Sequence, residues 1–251
     1  MELFVERLSS LPGVVAVALG GSRAQGTERP GSDWDFAVYY RGDFSTDAIR
    51  AWDLPGEVFE AGAWGRILNG GAWLRVNGQQ VDVLYRDLDL VETWLAEATE
   101  GRFEIDEAQG FVGGLATYVP VGELALGKVL SGGLPHVVFP AALRASAPNE
   151  WLSRARFSLW EAGNFARRGD VTICAGLLAK AAVQAAQARM AERAEWVLNE
   201  KDILVRAGLA DASAVLGAVG STAEELSTSV ARMKVALQLV GGLGDSIGET
   251  A

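Results

Sequence analysis

An apolar run that breaks on a glycine turn and returns as an Asp-x-Asp strand constrains this chain more than any other feature. Val14–Leu19 is continuous and valine-rich, the mark of a strand covered on both faces. Gly20-Gly21-Ser22 stops it, a short helical turn leads to Gly26, and residues 27–32 (Thr-Glu-Arg-Pro-Gly-Ser) form a loop. Trp34–Tyr40 then reads as a second strand. Trp34, Phe36, Val38 and Tyr40 fall on one side of it, and Asp33, Asp35, Ala37 and Tyr39 on the other.

The chemistry of that unit follows from its geometry. A strand ending in Gly-Gly-Ser and opening a helical turn presents several backbone N–H groups and a hydroxyl at one point, an arrangement suited to phosphate. Asp33 and Asp35 are two residues apart, so their carboxylates leave the strand on one face. Like charges held together disfavour ionisation unless a cation sits between them. A hard dication with oxygen ligands suits such a pair, Mg²⁺ shared with nucleotide phosphates above all. Taken alone, a Gly-Gly-Ser is a turn and an Asp-x-Asp a cap or a loop. In this order, on these elements, they describe a metal-nucleotide site.

Composition narrows the setting. With 251 residues and about 150 per domain, the chain makes one large domain or two modest ones. Acidic residues outnumber basic ones 32 to 22, a net charge of −10. That balance argues against attachment to nucleic-acid backbones, which needs clustered Lys and Arg. It permits a cationic ligand, although solubility alone accounts for it. One cysteine, Cys174, and one histidine, His136, exclude an internal disulfide, a multi-Cys zinc site and His-pair motifs. The N-terminus is acidic where a signal peptide is basic, and no run approaches about 18 uninterrupted apolar residues, so no membrane span and a cytoplasmic location are expected.

Further along, a helix is expected near 45–52. The Asn77-Gly78 pair between β-rich runs predicts a hairpin over 72–86. Residues 87–99 read as a helix, 101–122 as Gly-rich with short β-like pieces, and 123–131 as another short helix. Pro135, Pro140 and Pro148 mark a change of character. Beyond Asn149 the pattern is helical: an amphipathic stretch over 150–168 with Trp151, Phe157, Trp160 and Phe165, and a long Ala-rich helix capped by Asp170 and running to about 195. Shorter helices are expected near 199–207, 211–219 and 222–240, then a frayed tail. The expected architecture is α+β or α/β: a mixed sheet with helices over residues 1–140, followed by a helical bundle over 141–251.

The stretch Gly20-Gly-Ser-Arg-Ala-Gln-Gly26, followed by Ser32-Asp-Trp-Asp-Phe-Ala-Val38, resembles the core motif of the DNA polymerase β-like nucleotidyltransferase superfamily. That motif reads Gly-[Gly/Ser]-Ser-x-Ala-x-Gly, a loop, then Ser-Asp-x-Asp-apolar-x-apolar. The match covers about 20 residues, and a helical domain following it resembles the layout of the small-molecule branch, the kanamycin, streptomycin and lincosamide nucleotidyltransferases. The resemblance implies that Asp33 and Asp35 bind metal, that Gly21 and Ser22 hold the β- and γ-phosphates, and that a third carboxylate stands on an adjacent strand. Asp82, alone among Val81, Val83 and Tyr85, is the match. Its competing reading is a solvent-facing edge residue, and Glu60 is a weaker rival. Two Mg²⁺ ions and ATP or another NTP are the implied cofactor and co-substrate, with Asp82 as base, metal ligand or both.

Other candidates carry competing readings. Arg23 touches phosphate or pairs with an acid. Lys201 reaches the triphosphate or is a solvated helix-terminal lysine. Trp160 and Glu161 present a ring and a carboxylate to an acceptor, or Trp160 is core. The Glu104–Glu107 acidic cluster greets an amino sugar or is a solvated loop, and Asp87 and Asp89 are helix-cap material. His136 is expected to be structural and Cys174 a small buried hydrophobe. The favoured function is transfer of a nucleoside monophosphate to a hydroxyl of a small molecule, an aminoglycoside-like antibiotic among the candidates and hence antibiotic resistance. The alternative is a regulator or antitoxin of this fold that binds or nucleotidylates a partner protein; the missing Arg-x4–6-His motif weighs against a fused toxin. Addition to RNA ends would need a basic cleft, and a degenerate, binding-only fold would not need three acidic residues.

Overall fold

The structure is a computed structural model that describes residues 1–239. In chain order its elements are α1 (Glu2–Ser9), β1 (Val14–Leu19), α2 (Gly21–Ala24), β2 (Trp34–Tyr40), α3 (Asp47–Arg50), β3 (Gly56–Val58), α4 (Gly65–Leu68), β4 (Gly70–Val76) and β5 (Gln79–Asp87). There follow α5 (Leu88–Thr99), β6 (Ile105–Asp106), β7 (Leu115–Ala116), α6 (Val119–Leu126), β8 (Lys128–Gly132), α7 (Ala141–Ala166), α8 (Val171–Glu192), α9 (Ile203–Arg206), α10 (Asp211–Leu216) and α11 (Ala223–Ala236). Two compact units emerge. One comprises Met1–Thr99, Phe103–Ala108 and Leu115–Phe139, and the other Glu100–Arg102, Gln109–Gly114 and the chain from Pro140.

The first unit is built on a six-stranded mixed sheet of order β3-β4-β5-β2-β1-β8. Only β2 and β5 run parallel; the other neighbours are antiparallel. Asn77 (φ 52°) and Gly78 (φ 78°) both take the left-handed region that a two-residue hairpin turn requires. The turn fixes the β4–β5 register at Val76↔Gln79 and thereafter residue by residue. One face of the sheet is an unbroken apolar layer: Phe36, Val38, Val81, Val83 and Tyr85 pack with Phe4 and Leu8 of α1. On the other face the in-register rows are Asp35–Asp82, Ala37–Leu84 and Tyr39–Arg86.

The fully buried Arg86 closes that second face. Its guanidinium forms a two-pronged pair with Glu123 of α6 (2.6 and 2.8 Å) and donates to the carbonyls of Leu68 and Tyr85. Burial works against the charge, and the adjacent carboxylate more than restores it.

The second unit is helical, as its patterning predicts. Asp170 caps α8 by accepting from the Ile173 N–H (3.1 Å), and Thr222 and Glu225 form a reciprocal capping box on α11. Small residues let α7 and α8 pack closely: Ala155, Ala162 and Ala166 share a core with Cys174, Ala181, Ala182 and Ala185. By length and composition α8 is apolar enough to span a bilayer, and in this structure it is the core helix of the bundle.

Several expectations need correction. The helix expected over 123–131 is α6, which begins at Val119-Pro120 and stops before Gly127. Edge strand β8 follows, too exposed to show a strand's alternation. Pro140 does precede a helix, but Pro148 lies inside α7, buried together with Leu143, Ala147 and Trp151. Tertiary burial there outweighs the hydrogen bond that a proline removes. The aromatics of 150–168 do not share a face: Trp151 is buried, whereas Phe157 and Trp160 are half-exposed neighbours. The tail beyond residue 239 lies outside the described residues.

Candidate active site

The glycine turn and the Asp-x-Asp strand are joined at one point. Gly20 donates its N–H to the Asp35 carbonyl (2.7 Å), which brings the end of β1 against the start of β2. Gly21 opens α2 at φ 60°. A Cβ there would sit 1.8 Å from Asp35 Oδ2, so the position requires glycine twice over, by conformation and by contact. Ser22 follows, half-buried, on a helical turn whose first N–H groups have no intrahelical acceptor. The Gly21 backbone therefore lies directly against the Asp35 carboxylate, with Ser22 next in the chain.

Asp35 and Asp82 are register partners on the parallel β2–β5 pair, so their side chains leave the same face of the sheet side by side. Asp82 is half-buried. Burial pushes its carboxyl upward; a hydrogen bond from Gln80 Nε2 (3.3 Å) opposes this, and the nearby charge of Asp33 adds to it. Asp33 itself is exposed, just before β2. Asp82 is thus a member of the carboxylate row in the middle of the sheet, not a solvent-facing edge residue. The rival Glu60 is committed elsewhere, to Thr46 Oγ1 (2.7 Å) and Arg50 (2.6 Å).

Among the described residues no three His, Cys, Asp or Glu side chains close into a metal-holding cluster. Ionised carboxylates repel when no cation lies between them. The residues nonetheless fit a hard dication. The donors are carboxylate oxygens, Asp35 and Asp82 are adjacent on one face, Asp33 is near enough to disfavour the charge on Asp82, and Gly21 leaves the Asp35 carboxylate the room that a Cβ would fill.

The structure gives Arg23 a bracing task. It donates from Nε to the Asp33 carbonyl (3.0 Å) and from a terminal nitrogen to the Ser32 carbonyl (2.7 Å), with its guanidinium 4.4 Å from the Trp34 ring. The loop leading to Asp33 is held by these contacts. In the second unit Lys201 is exposed in the turn before α9 rather than on a helix. Its neighbour Glu200 accepts from the Val112 and Gly113 N–H groups (2.6 and 2.9 Å). Trp160 is half-exposed rather than core, and Glu161 is partly exposed beside it. Glu104 and Asp106 of the acidic cluster are claimed by Arg66, Asp87 caps α5, and Asp89 pairs with Arg41. His136 is exposed, and the buried Cys174 thiol is pushed up by burial.

Sequence reasoning missed Trp73. It is the β4 register partner of Asp82 and nearly half exposed. Counting outward from Asn77-Gly78 pairs 76 with 79 and hence 73 with 82, so the signal was present in the hairpin.

Residues 1–96 match the family model described as "Nucleotidyltransferase domain". No curated protein matches the chain in sequence. Two solved structures are similar at 12% identity. A nucleotidyltransferase-like protein from Exiguobacterium sibiricum aligns over 94% of this chain and 72% of its own, with a TM-score of 0.47. Spectinomycin adenyltransferase AAD(9) from Enterococcus faecialis, solved with ATP and spectinomycin, aligns over 94% and 98%, with a TM-score of 0.32.

Proposed function

We propose, from the match of residues 1–96 to a nucleotidyltransferase domain, that this chain is a transferase of the polymerase β type that moves a nucleoside monophosphate from an NTP, ATP by preference, to a hydroxyl of a small acceptor. The observation that carries the reading is the Asp35–Asp82 row with Gly21 packed on Asp35. It sets a phosphate turn immediately beside paired carboxylates.

The acceptor oxygen forms a bond to the α-phosphorus while the bond from that phosphorus to the bridging oxygen of pyrophosphate breaks. Asp82 takes the hydroxyl proton, standing beside Asp35 on the same face of the sheet. Ser22 and the first N–H groups of α2 donate to the departing phosphates. Arg23 fixes the loop that sets the position of Asp33. Asp33, Asp35 and Asp82 would hold Mg²⁺, which would supply neutralisation of the charge that develops during transfer. An aminoglycoside-like acceptor suits the chain's net charge of −10.

The test is Mg²⁺-dependent pyrophosphate release from each NTP against aminoglycosides, lincosamides, nucleosides and candidate proteins. Release with a small molecule, lowered by roughly two to three orders of magnitude in Asp33→Ala, is the expected result. Release at the wild-type rate in that variant overturns the assignment. Release with a protein alone overturns the small acceptor.

A further inference from the structure

The carboxylate row does not end at Asp82. On the same register line Asp82 is followed by Trp73 on β4 and Glu57 on β3, and register partners share a face. Trp73 is 46% exposed, yet its ring is fixed: it stacks on Trp64 (5.6 Å, 30°) and meets Phe59 edge-on (4.8 Å, 74°). Trp64 holds its place by lying over Gly71, where a Cβ would come within 2.6 Å of the indole. The result is a rigid aromatic platform next to the candidate base, with an exposed carboxylate at its far edge. Glu57 has no ion-pair partner among the described residues.

In-line displacement fixes which reactant meets this platform. The phosphate turn lies at the end of β1, on the far side of β2 from β5. Attacking and leaving oxygens stand on opposite sides of the phosphorus. With the leaving phosphates at the turn and the carboxylates in the middle, the attacking hydroxyl arrives from the β4 side. Strands are spaced at about 4.8 Å, so the platform begins one strand beyond Asp82, where the body of the acceptor must rest.

Resting on the reading of the site given above, we propose that Trp73, backed by Trp64 and edged by Glu57, is the acceptor platform, and that it selects a hydroxylated ring carrying a protonated amine. An indole face attracts a cation and covers the C–H face of a ring, while Glu57 and Asp82 supply charge complementary to an ammonium. A neutral sugar gains only the stacking, and an anionic acceptor is repelled.

Calorimetric titration of the full chain decides this without turnover. The probes are kanamycin, streptomycin, spectinomycin and lincomycin without nucleotide, maltotriose as the neutral control, and ATP with Mg²⁺ separately. At least one of the cationic probes binds the wild type and maltotriose does not. Trp73→Ala weakens that probe roughly tenfold, Trp73→Phe restores much of the loss, and Glu57→Gln weakens it while flattening its salt dependence. ATP affinity is unchanged in all three. If Trp73→Ala weakens ATP instead, the platform holds the base and the proposal is overturned. It is equally overturned if no cationic probe binds at millimolar concentration, or if binding is indifferent to Trp73 and Glu57. Cation binding without any ATP binding leaves the platform standing and removes the transfer reading; ATP binding without cation binding does the reverse.

Discussion

The two faces of the central sheet are built from alternate residues of the same strands and have opposite characters. Along β2, Phe36 and Val38 enter an apolar layer under α1, while Asp35, Ala37 and Tyr39 face the other way. The first face is uniform and closed. The second is graded, from the Asp35–Asp82 carboxylates at one end to the buried Arg86–Glu123 pair at the other. At its carboxylate end Asp35 and Asp82 are both partly exposed. Stability and chemistry are thus separated by a single step along the chain, which makes the separation testable with neighbouring substitutions.

The largest effects should therefore part cleanly between Phe36 and Asp35. Phe36→Ala empties a fully buried site and should cost about 3–5 kcal/mol of unfolding free energy, read from denaturant titration. Asp35→Ala should leave the unfolding midpoint near wild type while lowering nucleotide transfer by roughly two to three orders of magnitude. A loss of both properties in both variants would mean that the faces are not independent.

Next in size is the closed end of the second face. Glu123→Gln leaves the Arg86 guanidinium buried without its counter-charge, a change expected to cost about 3–5 kcal/mol. The double variant Arg86→Met, Glu123→Leu removes both charges and should recover most of that loss. If the single variant is neutral, the pair is not what closes this end of the sheet.

How much of this was legible depended on how local the signal was. The Gly21–Asp35 unit was readable because one short segment holds both halves, and period-two alternation places Asp33 and Asp35 on one face. Asp82 needed the hairpin to fix its strand, and the same hairpin carried Trp73 unnoticed. Arg86 went unread because its partner, Glu123, lies on a helix whose start was misplaced. Strand β8 was hidden because an exposed edge strand has no alternation to show. In the second unit the cap Asp170 marked the start of α8, but Pro148 misled: a local rule was overridden by burial that only the fold supplies.

Gly21 is where conformation and chemistry meet, and the expected effect is intermediate. Gly21→Ala places a Cβ 1.8 Å from Asp35 Oδ2 at a φ of 60°, so the carboxylate or the turn must move. A stability loss of about 1–2 kcal/mol is expected from the backbone alone. Activity should fall further than that loss accounts for, since the displaced group is Asp35. Transfer assays at a temperature where both proteins are fully folded separate the two effects; unchanged activity there would show that the close approach is incidental.

The smallest effects come from two phenols, one on each face. Tyr85 on the apolar face and Tyr39 on the graded face both bury a hydroxyl without a hydrogen-bond partner among the described residues, and burial pushes both well above the usual phenol range. A buried donor left unmade costs stability, so replacing it by hydrogen at constant shape should help. Tyr85→Phe is expected to gain about 1 kcal/mol. Tyr39→Phe should gain less, because the Tyr39 hydroxyl lies within the field of Arg86 and Glu123 and its dipole can orient to that field. Equal gains would mean that the charged pair is screened from Tyr39, and a loss at Tyr39 would mean that its hydroxyl is already part of the Arg86–Glu123 network.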